Sequence, residues 1–159
     1  MVLGLLWGGN VKAEIITLQC TQQKTYIGLK ETHSSSNEKT DIMNINTDHK
    51  NQIITDNRFI FLHTYPIGGG KFTRGIGLEI IDRITGEFRL ETIEGTEEDA
   101  KKFRNKFNKA KNSLKKNNTN MDLVQLILDV NNKYMNQAKD KEINNFKMIK
   151  NCEKAKKKF

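Results

Sequence analysis

The chain has 159 residues, 36% of them hydrophobic, and a formal charge of +8. That length leaves room for one domain with a single modest core, and for no more. The charge is uneven: Glu14 to Gly95 carries 9 Lys/Arg against 11 Asp/Glu, whereas Thr96 to Phe159 carries 17 against 8.

The first segment bears on compartment. Val2-Leu3-Gly4-Leu5-Leu6-Trp7 is a short apolar run, Gly8-Gly9-Asn10 breaks any helix, and Val11 and Ala13 put small residues where a signal peptidase inspects. Residues 1–13 therefore read as the tail of a secretory signal peptide, without the basic opening such peptides carry, cut between Ala13 and Glu14. The expectation is a periplasmic or secreted protein. The run is too short to span a bilayer. The competing reading is an apolar first strand of a cytosolic protein.

From residue 14 to 95 the period is that of strands. Glu14 to Cys20 places Ile16, Leu18 and Cys20 on one face, and a strand resumes over Thr25 to Leu29. Glu31 to Thr40 lacks apolar residues and reads as an exposed loop. Asp41 to Asn46 is a weak strand; Gln52 to Thr55 returns; Asp56-Asn57 is a two-residue turn. In Arg58 to Tyr65 one side carries Phe59, Phe61, His63 and Tyr65 and the other Ile60, Leu62 and Thr64, so the strand is central. The first four are the candidate ligand-facing set. After Pro66-Ile67-Gly68-Gly69-Gly70 comes the clearest hairpin, Gly75 to Ile81 and Glu87 to Glu91 around Asp82-Arg83-Ile84-Thr85-Gly86. The order predicts an antiparallel meander of about six strands, each pairing with its neighbour.

At Thr96 the period changes to that of a helix. A hydroxyl cap with Glu97, Glu98 and Asp99 behind it opens a helix whose apolar stripe is Ala100, Phe103, Phe107, Ala110 and Leu114. Asn120 caps a second helix with Leu123, Val124, Ile127, Val130, Tyr134 and Ala138 inward and with Leu126 and Leu128 widening that face. The two make a helical hairpin over 96–140, laid on the sheet or on another chain. Residues 141–159 form a closing segment and basic tail. Ile143, Phe146 and Ile149 suit a helix there; Phe146, Met148, Lys150 and Cys152 suit a strand. The fold class is α+β, a single domain over 14–159.

Cys20 and Cys152 are the only cysteines, and an even count outside the cytosol predicts one bridge between them; two buried free thiols are the alternative. A strand at 146–152 beside the first strand makes that bridge easiest. The cleaved leader, the Cys in the first strand, the Asp-Arg-x-Thr-Gly-x-Phe hairpin (Asp82 to Phe88) and the terminal Cys152-Glu153-Lys154 resemble small exported proteins of A/T-rich bacteria with no assigned function. The resemblance covers the β half and the last residues; the helical segment is extra to it. It implies no catalytic or binding residue.

Candidate chemistry is sparse. Gly68-Gly69-Gly70-Lys71 fails as a phosphate loop, since Tyr65 stands where the first Gly belongs, Phe72 follows the Lys and a strand follows the loop. His33, His49 and His63 show no metal-ligand spacing, and His63 reads as a hydrogen-bonded wall residue. Ser34, Ser35 and Ser36 lack a nucleophile setting. Glu79, Glu87 and Glu91 read as one outer face of the hairpin. No catalytic residue, metal or cofactor is expected. Lys101, Lys102, Arg104, Lys106, Lys109, Lys111, Lys115 and Lys116 cover the first helix and are candidates for an anionic lipid or envelope polymer. Stacking aromatics are missing from that face, which speaks against nucleic acid. Of 27 basic residues 22 are Lys, and Asn and Ile are abundant, so codon drift is the stronger reading of the basicity. The expected function is a non-enzymatic exported binding or interaction protein; the alternative is peripheral attachment to an anionic surface.

Overall fold

A computed structural model describes residues 15–46, 51–68, 70–117 and 120–154. Its elements are β1 (Ile15–Ile27), β2 (Lys30–Asn46), β3 (Gln52–Ile54), β4 (Arg58–Pro66), β5 (Arg74–Asp82), β6 (Glu87–Gly95), α1 (Glu97–Asn117), α2 (Met121–Gln137) and β7 (Phe146–Lys154). The sheet is antiparallel throughout, in the order β2-β1-β7-β6-β5-β4-β3. The α+β class, with strands followed by a helical hairpin, is as the sequence predicts. The leader reading falls on residues outside those described.

Two details of the strand order differ from expectation. β7 returns from the helices and fills the place between β6 and β1, making the seventh strand. β2 and β3, neighbours in the chain, lie at opposite edges. This has a geometric consequence. A flat seven-stranded sheet would separate those edges by about 29 Å, whereas the chain from Asn46 to Gln52 reaches at most about 22 Å. The sheet must curl, and Ile45 on β2 duly shares one buried cluster with Phe59 and Phe61 on β4.

Both faces are covered over part of their area. Ile53, Ile60, Leu62, Ile76, Leu78 and Ile93 point to the helices, meeting Phe103, Phe107, Leu123, Leu126, Val130 and Tyr134. The concave face is lined at one end by Leu18, Cys20, Ile45, Phe59, Phe61, Ile81, Phe88 and Cys152. This two-sided burial corrects the reading of Glu79, Glu87 and Glu91 as one outer face. Glu79 pairs in register with Leu90 and shares its concave face, while Glu91 lies 2% exposed under α2. There its Oε1 sits 3.1 Å from Lys147 Nζ and 3.4 Å from Arg89 Nε.

The polar stretch read as a loop is instead the middle of β2. Lys24, Gln23 and Gln22 pair with Ser34, Ser35 and Ser36, and a register shift between Cys20 and Gln22 lets β1 run on as one strand. An edge strand in a long hairpin needs only backbone pairing, so apolar alternation is not required to form it.

The closing strand settles the ambiguity at 146–152. Cys20 and Cys152 are direct register partners on β1 and β7, and their sulfurs are bonded. Gly86 fastens the Asp82 hairpin to the same place. Its carbonyl accepts from Cys152 N–H at 2.8 Å, and a Cβ there would fall 2.0 Å from the Cys152 carbonyl oxygen. Asp82 organises the turn by accepting from the Thr85 and Ile84 amides at 2.8 and 2.9 Å. The Thr85 amide is the main cause holding the Asp82 carboxyl below the usual carboxylate range.

α1 starts as predicted. Asp99 N–H donates to Thr96 Oγ1, and Thr96 N–H donates back to Asp99 Oδ2, a reciprocal cap that satisfies otherwise orphaned donors. α2 departs in two respects: Asn120 makes no side-chain cap, and Val124 and Leu128 are 48% and 46% exposed. Leu123, Leu126, Val130 and Tyr134 face inward as predicted, with Ile127 and Ala138 packed at the margin, and Gln137 joins them where the sequence offered no apolar residue. Gln137 is drawn in by the sheet, since its amide bonds both the N–H and the carbonyl of Glu94 beyond the last β6–β7 pair.

Candidate functional site at the open end of the sheet

The concave face carries two hollows, one of about 410 Å³ beside the disulfide, walled by Ile16, Leu18, Phe59, Ile81 and Cys152, and a second at its other end. A groove of 580 Å³ lies there, lined by Asn51, Leu62, His63, Thr64, Tyr65, Gly77, Glu79, Leu90 and Thr92. Strand alternation positions its working groups. His63 stands opposite Gly77 and Tyr65 opposite Gly75 on β5, while Gly77 and Glu79 stand opposite Thr92 and Leu90 on β6.

The two glycines act differently. The Tyr65 ring fills the space at Gly75, where a Cβ would fall 2.3 Å from it. At Gly77 a Cβ would meet His63, Leu90 and Thr92 only at ordinary contact, 3.6 Å, so the missing side chain lowers the groove floor. His63 Nε2 and Glu79 Oε2 are 3.2 Å apart across the two strands, fixing both side chains on the wall. The His63 ring also stacks beside Phe61, with centroids 6.4 Å apart. Thr92 is committed to the scaffold, because its hydroxyl donates to the Phe146 carbonyl and accepts from the Phe146 amide.

Of the four candidate ligand-facing residues, His63 and Tyr65 line this groove. Phe59 and Phe61 share their face but are 4% and 7% exposed and belong to the apolar cluster beneath it. Asn51, Glu79, Leu90 and Thr92 were not among the candidates. The sequence does hold a sign of the site in the Gly75-Ile76-Gly77-Leu78-Glu79 run, which clears space on one face of a strand.

The basic residues of α1 are largely engaged within the molecule. Lys102 pairs with Glu98 at 2.8 Å, one turn away. Arg104 bonds Glu97 and the Thr64 hydroxyl, and Arg104, then Arg74, hold the Glu97 carboxyl below its usual range. Lys106 pairs with Asp129 and Lys109 with Asp122, both on α2. Lys101 and Lys115 are exposed, Lys111 is half-buried, and the Lys116 side chain lies outside the description.

Among the described residues no group of three His, Cys, Asp or Glu converges on a metal position, and no helix is long and apolar enough to cross a membrane. His33 lies on the edge strand β2, and His49 is outside the described residues. No family model, curated protein or solved structure matches the chain.

Proposed function

We propose that the chain is an exported, non-enzymatic binding protein that holds a small uncharged polar ligand in the groove around His63, Tyr65 and Glu79. The composition of the groove wall carries this reading. Its described lining includes an imidazole, a carboxylate, an amide and the Tyr65 hydroxyl beside an apolar Leu90, and contains no Lys or Arg. A few convergent polar groups beside apolar surface are the usual make-up of a ligand site. On a chain of charge +8, a groove without a fixed cation and with a carboxylate disfavours anions. Hydroxyl and amide groups match the donors and acceptors present. The lining also includes no Ser, Cys or Lys for His63 to activate, which supports binding over covalent catalysis. Export to the periplasm or beyond is supported by the Cys20–Cys152 bond, since such bonds persist in oxidising compartments.

Attachment to an anionic surface through α1 has less behind it, because Lys102, Arg104, Lys106 and Lys109 already hold carboxylates. Amide resonances of isotope-labelled protein separate the two readings. N-acetylglucosamine, a neutral probe with hydroxyl and amide groups, is expected to shift His63, Tyr65, Gly77 and Thr92, and inorganic phosphate to leave them still. Silence of those four amides toward the sugar contradicts the proposal. Shifts along α1 on adding anionic vesicles would favour the alternative.

A further inference from the structure

The hollow beside the disulfide differs from the groove in a way that selects a ligand: a cation stands at its mouth. Its floor is made by Ile16 and Leu18 of β1, Phe59 of β4, Ile81 of β5 and Cys152 of β7. β1 and β4 are not neighbours in the sheet, and its curl brings them to one space. Leu18, Phe59, Ile81 and Cys152 are at most 8% exposed, and Ile16 packs half-buried against them. A volume of about 410 Å³ falls within the range of small-molecule sites, and the mouths of closed or curled sheets are a common place for them.

The turn between β5 and β6 supplies the mouth. Arg83 is held there by its backbone and its side chain. Its N–H donates to the Asn57 carbonyl at 2.8 Å and its Nη1 to the Thr55 carbonyl at 3.1 Å, and the guanidinium carbon lies 4.9 Å from the centroid of the Phe59 ring. Phe59 belongs to the floor, so that contact keeps the charge on the hollow's side of the turn. Among the described residues no carboxylate pairs with it. Two acids also border the space. Asp82 is committed to the amides of Ile84 and Thr85 and stands 3.7 Å from Arg58. Glu153 follows Cys152 on β7, so its side chain leaves from the opposite face of the strand. Ile84, 74% exposed, adds apolar surface next to Arg83.

We infer that this hollow binds an aliphatic monocarboxylate, its tail on Ile16, Leu18, Phe59 and Ile81 and its head on Arg83. One N–H on Nη1 is spent on Thr55, which leaves the Nε and Nη2 donors, a fork that matches two carboxylate oxygens. An uncharged apolar molecule would leave the guanidinium unanswered, an organic cation would be repelled by it, and a small anion without a tail would gain nothing from the floor. The site is separate from the groove around His63 and stands or falls without it.

Amide resonances of the isotope-labelled, oxidised full chain, titrated with sodium decanoate below its micelle concentration, test this. Leu18, Ile81, Arg83 and Thr85 should shift saturably, and His63 and Gly77 should stay still. Octanoate should bind about tenfold more weakly, because two methylenes leave the floor. Arg83→Gln should weaken decanoate about tenfold and leave decanol, the weaker ligand, unchanged. Ile16→Trp should block both by filling the hollow, and Gly77→Val, at the other end of the sheet, should alter neither. Arg83 is an exposed turn residue, so Arg83→Gln should keep the native circular dichroism and decides the matter even where Ile16→Trp does not fold. Absence of shifts in the wild type overturns the inference. So does equal decanoate affinity with and without Arg83, decanol binding as tightly as decanoate, or shifts confined to the lysines of α1.

Discussion

Single residues show how closely local chemistry and long-range packing are tied here. Gly86 has φ of 76°, the left-handed region, and it also approaches the Cys152 backbone too closely for any side chain. Gly86→Ala should therefore cost more than the roughly 1–2 kcal/mol of the backbone conformation alone. A urea titration should place its loss above that of Gly68→Ala, where a Cβ meets nothing. Tyr134 offers a second case. It is 1% exposed, and its hydroxyl donates to the Gly28 carbonyl at 2.7 Å. Burial, aided by Glu91 and Tyr26, pushes its pKa up to about 12 from 10.0. The folded chain thus holds the phenol proton where the unfolded chain releases it. That contribution is whole below pH 10 and is lost as pH rises to about 12. Wild-type stability should fall more steeply over this window than that of Tyr134→Phe. At neutral pH the substitution itself should cost about 1–2 kcal/mol, because the carbonyl loses its donor. None of this was visible in the sequence beyond Tyr134 facing inward, since Gly28 is 106 residues away.

At the scale of elements, legibility followed burial. The β5–β6 hairpin and the α1 stripe were readable because each buries a regular face, and the Thr96–Asp99 cap because it is local. β2 was not readable, as a polar edge strand is specified by its partner's backbone. The pairing of β7 with β1 was foreseeable only through the cysteines, which gave a reason for the chain's last strand to meet its first. On α2 the sequence drew the apolar face too wide, taking in Val124 and Leu128, because Leu126 and Leu128 are equally apolar. Which of them turns inward was decided by Gln137 reaching Glu94 and by Asp122, Asp129 and Lys133 reaching α1. The bond between β1 and β7 closes a span of 132 residues. In the chain-entropy account such a closure contributes about 5 kcal/mol. Reduction, or a Cys20→Ala, Cys152→Ala double variant, should lower the urea midpoint accordingly, with no change in the native far-ultraviolet spectrum below the transition. Equal midpoints with and without reductant would contradict this.

At the scale of the whole molecule, the placement of β2 and β3 at opposite edges has the largest consequence. A short chain link curls the sheet, the curl makes one face concave, and the aromatic residues of β4 fill only part of that concavity. At the end away from the disulfide His63, Tyr65 and Glu79 stand over the low floor at Gly77. The sequence displayed the four alternating residues of β4 but not the boundary between filled and open, which depends on strands brought from both ends of the chain. The direct test of the groove as a ligand site is the His63 ring proton resonance during titration with N-acetylglucosamine, in wild type and in Gly77→Val, whose branched side chain would occupy the floor. The account predicts a saturable shift in the wild type and none in the variant, with both proteins folded; equal shifts in the two, or no shift in the wild type, would contradict it.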